Sequence, residues 1–432
     1  MRSLLRQYVR VARSDGGAFG RLWAGASVSL LGDGMTILAL SWLVLSTGGT
    51  ARLGLLGVCF TAPVIVGGLV TGPLLDRFDI RILIAGDSLI RAMCVASVPL
   101  AAVLGHVPEF LPFVVAVVYG LFRMVPMAGF PAAIPQLVRA ADLDTANALE
   151  SLSFSTASIV GPAAGGTLVA AIGAPDVLLF DAASYLLFAA VMATIRRPLR
   201  PETAPGAPGA PGAPGAPGAA AAAPATARGA TLRALARDRI LVATTAAFML
   251  FNVADGMLML VVAPWLARTQ LPGGAAALGG LTGTLAAGEI AGAAIAGLTA
   301  GDVSDHAAVR RIGLLQAAAA LALLLILGKP RAVLAYAGFF AVGALTAPMT
   351  VWAQSMRMRR VPAAVHGRAF ALLRTFMQAT PPLGAAMAPA LLAHGGLAGT
   401  LAVMAGVAGL PALLLIFPAE APQLRAGPGA PA

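Results

Sequence analysis

Two acidic tripeptides are the most telling chemistry in this chain: Asp33-Gly34-Met35 and Asp255-Gly256-Met257. Each sits inside a long apolar stretch, and each is followed by a tryptophan, Trp42 and Trp265. A charge at the centre of an apolar run costs about 2.5–3.5 kcal/mol on insertion scales, so such a residue marks a function or has a neutralising partner. A carboxylate that faces a dry cavity and then water can take a proton on one side and surrender it on the other. Asp33, flanked by Gly32 and Gly34, is expected to be the principal proton-coupling acid, with Asp255 secondary. The alternative for both is an acid that caps a broken helix or bonds the backbone beside its glycine. Arg123, Glu289 and Arg374 are further charges at depth, and a Glu289–Arg374 contact is one arrangement open to them. Asp87 and Arg91, four residues apart, share a helix face and read as a structural ion pair.

The elements that must hold these groups are membrane helices. Only 11% of residues are charged and 59% are hydrophobic, against roughly 25% charged in soluble domains, so lipid must solvate most of the chain. Twelve segments approach the ~20 apolar residues needed to span: 20–46, 53–75, 81–104, 110–136, 147–172, 177–195, 239–267, 276–300, 311–328, 332–355, 366–392 and 396–417. Only the turn His394-Gly395-Gly396 divides the last two. The expected fold is therefore an all-α membrane protein of twelve transmembrane helices in two six-helix bundles, 20–195 and 239–417. Between them, 196–238 contains the Ala-Pro-Gly repeats of Ala204 to Gly218, which suit a semi-extended linker. Its end, Thr231 to Arg239, suits a short amphipathic helix. A basic terminus, 1–19, and a tail, 418–432, complete the chain.

Charge placement gives an orientation. Of 29 Lys and Arg, only Arg52, Arg268, Lys329 and Arg331 fall on one side, and Arg91, Arg123 and Arg374 fall within spans. The rest lie at the N-terminus, in alternate loops and in the tail, which places both termini and the linker in the cytoplasm of a multi-pass inner-membrane protein. The arginine-rich start lacks a small-residue cleavage site and is not read as a signal peptide. The net charge of +11 belongs to this topology; the basic stretches lack interleaved aromatics, so nucleic acid is not an expected partner. Cys59 and Cys94 fall within spans and the four histidines at or near loops, so no metal, disulfide or cofactor is expected. No catalytic cluster and no P-loop occurs, which argues against an enzyme and against direct ATP coupling.

Several short stretches carry a further signal. Gly72-Pro73-Leu74-Leu75-Asp76-Arg77-Phe78-Asp79-Ile80-Arg81 joins spans two and three. Its glycine permits close helix approach, Asp76 at a helix end can meet a neighbouring arginine, and Arg77 and Arg81 fix the loop on the basic face. Gly161-Pro162-Ala163-Ala164-Gly165-Gly166 in span five combines a helix-bending proline with small residues. The first stretch resembles the signature loop of the major facilitator superfamily, Gly-x-x-x-Asp-Arg-x-Gly-Arg-Arg/Lys, with Asp79 and Ile80 departing from it. The second resembles the Gly-Pro-x-x-Gly-Gly signature of the proton-antiporting exporters in that superfamily. Leu31-Gly32-Asp33-Gly34, Phe130-Pro131-Ala132, Pro135-Gln136-Leu137-Val138, Ala146-Asn147-Ala148-Leu149, Phe180-Asp181-Ala182 and Gly367-Arg368-Ala369-Phe370 extend the likeness to the drug, siderophore and macrolide exporter branch. In the second half Gly297-Leu298-Thr299-Ala300-Gly301-Asp302 matches the loop signature only loosely.

The resemblance implies a cytoplasmic gate at Gly72, Asp76, Arg77 and Arg81, a helix bend at Gly161, Pro162, Gly165 and Gly166, and a proton-transfer role for Arg123. It also implies a proton-coupled exporter of amphipathic small molecules that works by alternating access. Function as a monomer in the bilayer is expected, with a small-molecule substrate and protons as partners. An importer of sugars or other nutrients is the alternative within transport, although Asn252, Gln316, Gln354 and Gln378 supply few amides for a sugar cage. A non-transporting scaffold leaves the paired acids unexplained.

Overall fold

The apolar segments fold as helices because, in lipid, a backbone must bond to itself. A computed structural model describes residues 10–199, 237–298, 304–361, 369, 373 and 375–417. The side chains of Asp76 and Leu298 lie outside that description, as do Arg374, the Ala-Pro-Gly stretch, Thr231 to Leu235, Gly301, Asp302, Gly367 and Arg368.

In chain order the α-helices are α1 Ser14–Arg77, α2 Ile80–Val103, α3 Leu111–Phe122, α4 Met124–Leu137, α5 Leu143–Ile172 and α6 Ala174–Thr194, then α7 Arg239–Met257, α8 Ala263–Thr269, α9 Ala275–Leu298, α10 Asp305–Ala322, α11 Arg331–Arg360 and α12 Pro381–Ile416. These twelve labels are not twelve spans. Ten continuous helical stretches among the described residues are long and apolar enough to cross a membrane, with α3 and α4 forming one and α7 and α8 another. Two of the ten are interrupted. Gly49 (φ 70°, ψ −168°) breaks α1 and Gly396 (φ 59°, ψ −168°) breaks α12, at the places where spans one and two, and eleven and twelve, are expected to part. Glycine tolerates that left-handed φ because it has no Cβ.

Helices α1 to α6 pack chiefly on one another, as do α7 to α12. The two groups meet where α5 lies against α9 and where α12 lies against α1. A large apolar core runs through both groups. A second, smaller core of Phe19, Leu22, Ile80, Ile84, Ile134, Phe188, Ile195 and Leu199 closes the arginine-rich end of the first group. Leu199 is wholly buried there, so the chain leaving α6 is held under that end before the linker begins.

Candidate functional site

One cavity of about 410 Å³ lies between the two groups. The first group contributes Gly34, Ile37, Leu38 and Ser41, then Thr61 and Val64, then Arg123, Ser158 and Pro162. The second contributes Asp255, Gly256, Met259, Leu260, Pro264, Leu278, Thr282, Leu285, Ala286, Glu289, Gln378 and Pro381. Most of that wall is apolar. Its charges among the described residues are Asp255 and Glu289 from one group and Arg123 from the other.

Local structure explains how each charge gets there. Arg123 is the junction between α3 and α4, with backbone angles of −50° and −31°, and its half-buried side chain makes no hydrogen bond or ion pair among the described residues. Asp255 ends α7 just before a π-helical turn, Leu258–Val262. Such turns insert an extra residue into the helical ladder and are frequent at functional sites. Asp255 is half-buried and, like Arg123, unpaired among the described residues. Glu289 on α9 is exposed.

Asp33 is absent from this lining and belongs to a separate polar network inside the first group. Its Oδ1 accepts a hydrogen bond from the Tyr185 hydroxyl and meets Arg91 Nη1 at 3.3 Å. Arg91, 1% exposed, donates through Nη2 to Asp87 Oδ2 at 2.5 Å and lies 4.3 Å from the Tyr185 ring centroid. The expected Asp87–Arg91 pair is therefore present, with Asp33 as a third member. Asp87 Oδ1 has no hydrogen-bond partner among the described residues. Asp181 is a further carboxylate at this level, wholly buried. It accepts from the Thr36 hydroxyl and, at 3.0 Å, from the Ser184 hydroxyl. Sequence reasoning met Asp181 only within the family-like stretch Phe180-Asp181-Ala182 and gave it no site role; the signal for one was its place four residues before Tyr185, on one face of α6.

The glycine-proline motif of α5 packs in two directions. A Cβ on Gly34 would come 3.0 Å from Pro162 Cδ, and one on Gly165 would come 2.9 Å from Met35 Cα, so α5 lies directly on α1. Gly166 faces the other group: its Cβ would come 2.5 Å from the Ala275 carbonyl oxygen, and a Cβ on Gly279 would come 2.5 Å from that of Pro162. Helices approach this closely only over glycine. Other contacts between the groups lie at the same end, away from the arginine-rich face. Gly54 rests on Pro389, and Trp42 touches Gly274 and lies 5.7 Å from the Arg268 guanidinium carbon.

On the arginine-rich face Gly72 is buried and Arg77 exposed. The acid whose contacts are described in this loop is Asp79, a departure from the family pattern. Its Oδ1 caps α2 by accepting from Arg81 N at 3.0 Å, and Oδ2 pairs with Arg81 Nη2 at 2.7 Å. It also accepts from Leu199 N at 3.2 Å, while Arg81 donates to the Ile195 carbonyl. Burial alone would raise the Asp79 pKa; the Arg81 side chain and the Arg81 and Leu199 N–H groups outweigh it and hold the carboxyl below its ordinary value. The second group has its own clamp. Asp238 caps α7 and pairs at 2.8 Å with Arg360, which reaches Asp305 at 2.6 Å. Burial is again outweighed, here by Arg360 and the Ile240 and Leu241 N–H groups, and Asp238 is held below its usual value.

An all-helical membrane protein in two packed groups, with a part-charged cavity at their junction, has the architecture of a solute transporter. The chain belongs to the transmembrane secretion effector family of the major facilitator superfamily, whose profile matches residues 12–427. It is 31% identical over 184 residues to the multidrug efflux pump Tap of Mycolicibacterium fortuitum, a match covering 41% of this chain and 44% of that one. The match thus spans less than half the length of that pump. An uncharacterized transporter of major-facilitator type from Sinorhizobium fredii, y4rN, is 26% identical over 91% of this chain and 94% of its own. Among solved structures, the nucleoside transporter NupG superposes with a TM-score of 0.67 at 12% identity, covering 93% of this chain and 98% of NupG. A D-xylose-proton symporter gives 0.65 at 16% identity, covering 92% and 96%. Those two likenesses concern the fold.

Proposed function

We propose that the chain exports amphipathic organic compounds (drugs, siderophores or other secondary metabolites) across the inner membrane in exchange for protons, by alternating access. The moving bodies are 20–195 and 239–417, joined by 196–238, with both termini and the linker in the cytoplasm and one chain as the working unit. The observation that carries this reading is the cavity, where Asp255 and Glu289 of one body stand across apolar walls from Arg123 of the other. Apolar walls suit an amphipathic body, and two carboxylates suit a cationic group. A cation arriving at Asp255 competes with a proton for the same oxygens, so its binding expels the proton.

The close contacts of Gly166 with Ala275, Gly54 with Pro389 and Trp42 with Gly274 support a state sealed on the outer side, with the cavity served from the cytoplasm. Rocking about the α5–α9 and α1–α12 seams opens the other side. The family description and the efflux pump among the relatives support outward transport. A sugar importer is favoured less, since Gln378 is the one amide in the lining among the described residues.

Purified protein in liposomes tests the reading, with ethidium as a cationic probe and an imposed pH gradient. Asp255→Asn should retain ethidium binding yet lose at least about tenfold in uphill transport, together with ethidium-induced proton release. Glu289→Gln should show a smaller loss. Wild-type pumping and proton release in both variants would sink the assignment.

A further inference from the structure

We infer that the first half carries a binding site for the phosphate group of an anionic phospholipid, in a cavity of about 480 Å³ where the start of α1 meets the end of α6. Asp15, Gly16 and Gly17 all adopt positive φ (48°, 63° and 82°). This left-handed turn carries the chain around a recess before Phe19 and Leu22 enter the core. Across the recess, α6 ends at Thr194. Ile195 then plugs the core, while Arg196 and Arg197 join Arg21 in the lining.

What distinguishes the recess is that three arginines converge on one space. Several other arginines of the face are matched with acids: Arg10 and Arg139 with Asp142, Arg81 with Asp79, Arg360 with Asp238 and Asp305. Here Asp15 is the one acid in the lining among the described residues, and it stands 4.0 Å from Arg197, a loose pair. Arg21 is steered by donating from Nη1 to the Gly16 carbonyl at 3.3 Å. Three guanidinium groups against one carboxylate leave an excess positive charge around a space that admits a phosphate group with room to spare, and forked guanidinium donors match phosphate oxygens.

Position selects the source of that phosphate. The recess lies where the first and sixth spans begin and end, at the level of the headgroups on the basic side. Val28, two turns on from Arg21 along α1, and Leu187, two turns back from Thr194 along α6, share the faces of those residues. They are 39% and 49% exposed. Apolar surface therefore continues from the recess toward the bilayer centre, as an acyl chain requires and a free phosphate ion does not.

Native mass spectrometry of the full-length protein in neutral detergent tests the site, with phosphatidylglycerol, phosphatidylcholine or inorganic phosphate added in separate arms. Wild type should retain phosphatidylglycerol in preference to phosphatidylcholine, and inorganic phosphate should not displace it. Arg21→Gln/Arg196→Gln should weaken that retention on the order of tenfold or more. Arg239→Gln/Arg310→Gln, which removes the same charge elsewhere on the face, should leave it within about twofold. Equal losses in the two variants would show diffuse surface attraction and overturn the site. Phosphate binding without lipid retention would overturn the lipid assignment.

Discussion

Asp33 and Asp255 stand at matching places in two halves that share one packing rule. Gly34 lies against Pro162 and Met35 against Gly165; Gly256 lies against Pro381 and Met257 against Gly384. Each acidic tripeptide thus docks on a Pro-x-x-Gly step of another helix, Pro162 to Gly165 in α5 and Pro381 to Gly384 in α12. The surroundings then diverge. In the first half Asp33 joins Arg91, Asp87 and Tyr185 in a charged node. The corresponding tie in the second half is neutral: Gln316 donates to the Ala247 and Ala408 carbonyls at 3.0 and 2.8 Å. Among the described residues Asp255 has no such node beside it, and it opens on the cavity. The same motif makes the same helix contact in both halves, while its carboxylate joins a charged network in one and lines the cavity in the other.

The comparison breaks most severely at Arg91. Arg91→Met strands Asp33 and Asp87 without their cation, and removing one member of a buried ion pair costs about 3–5 kcal/mol. Thermal unfolding in detergent should show a large drop, against a small one for Gln316→Met; equal drops would mean that the charged node is not the firmer tie. The glycine contacts rank next. A Cβ at position 256 would overlap the Pro381 carbonyl oxygen, whereas one at 34 meets its nearest atom at 3.0 Å. Gly256→Ala should therefore cost about 1–3 kcal/mol and Gly34→Ala less, a ranking that melting temperatures and monodispersity can reverse.

The acids themselves come third. Asp33→Asn weakens bonds to Arg91 and Tyr185 and should cost about 1–2 kcal/mol. Asp255→Asn, with no partner to lose, should stay within about 0.5 kcal/mol of wild type; a destabilised Asp255→Asn would reveal a structural duty there. The smallest effect concerns the two clamps. Asp79 and Asp238 are both held below their ordinary pKa, so their contribution is complete above about pH 4 and fades as pH falls through the lower folded values. Melting curves at pH 7, 5 and 3.5 should lose more at the last step in wild type than in Asp79→Asn/Asp238→Asn; parallel curves would count against the clamps.

The helical class followed from composition alone, and the family from the motifs around Gly72 and Gly161. Asp87 and Arg91 were legible because four-residue spacing fixes a shared helix face whatever the tertiary structure. Asp33 joining them was not, since that depends on how α1 is rotated against α2 and α6. The same rotation turns Asp33 from the cavity, which Arg123 at the α3–α4 junction and Glu289 on α9 line instead. Pro381 to Gly384 escaped notice because a Pro-x-x-Gly step is common in membrane helices and gains meaning only when Gly256 is seen against it. Asp79 read as a flaw in a family pattern, yet its capping and its bond to Leu199 show a local solution of its own.

The two clamps also have a bearing on engineering. Leu199 is tied to Asp79 at one end of the central segment, and Asp238 to Arg360 at the other. A pull on the intervening chain is therefore delivered first to two surface fasteners, far along the helices from Asp255. A reporter domain grafted between residues 200 and 236 would load those fasteners before it reached the helices around the cavity, making this stretch the natural insertion point for a sensor.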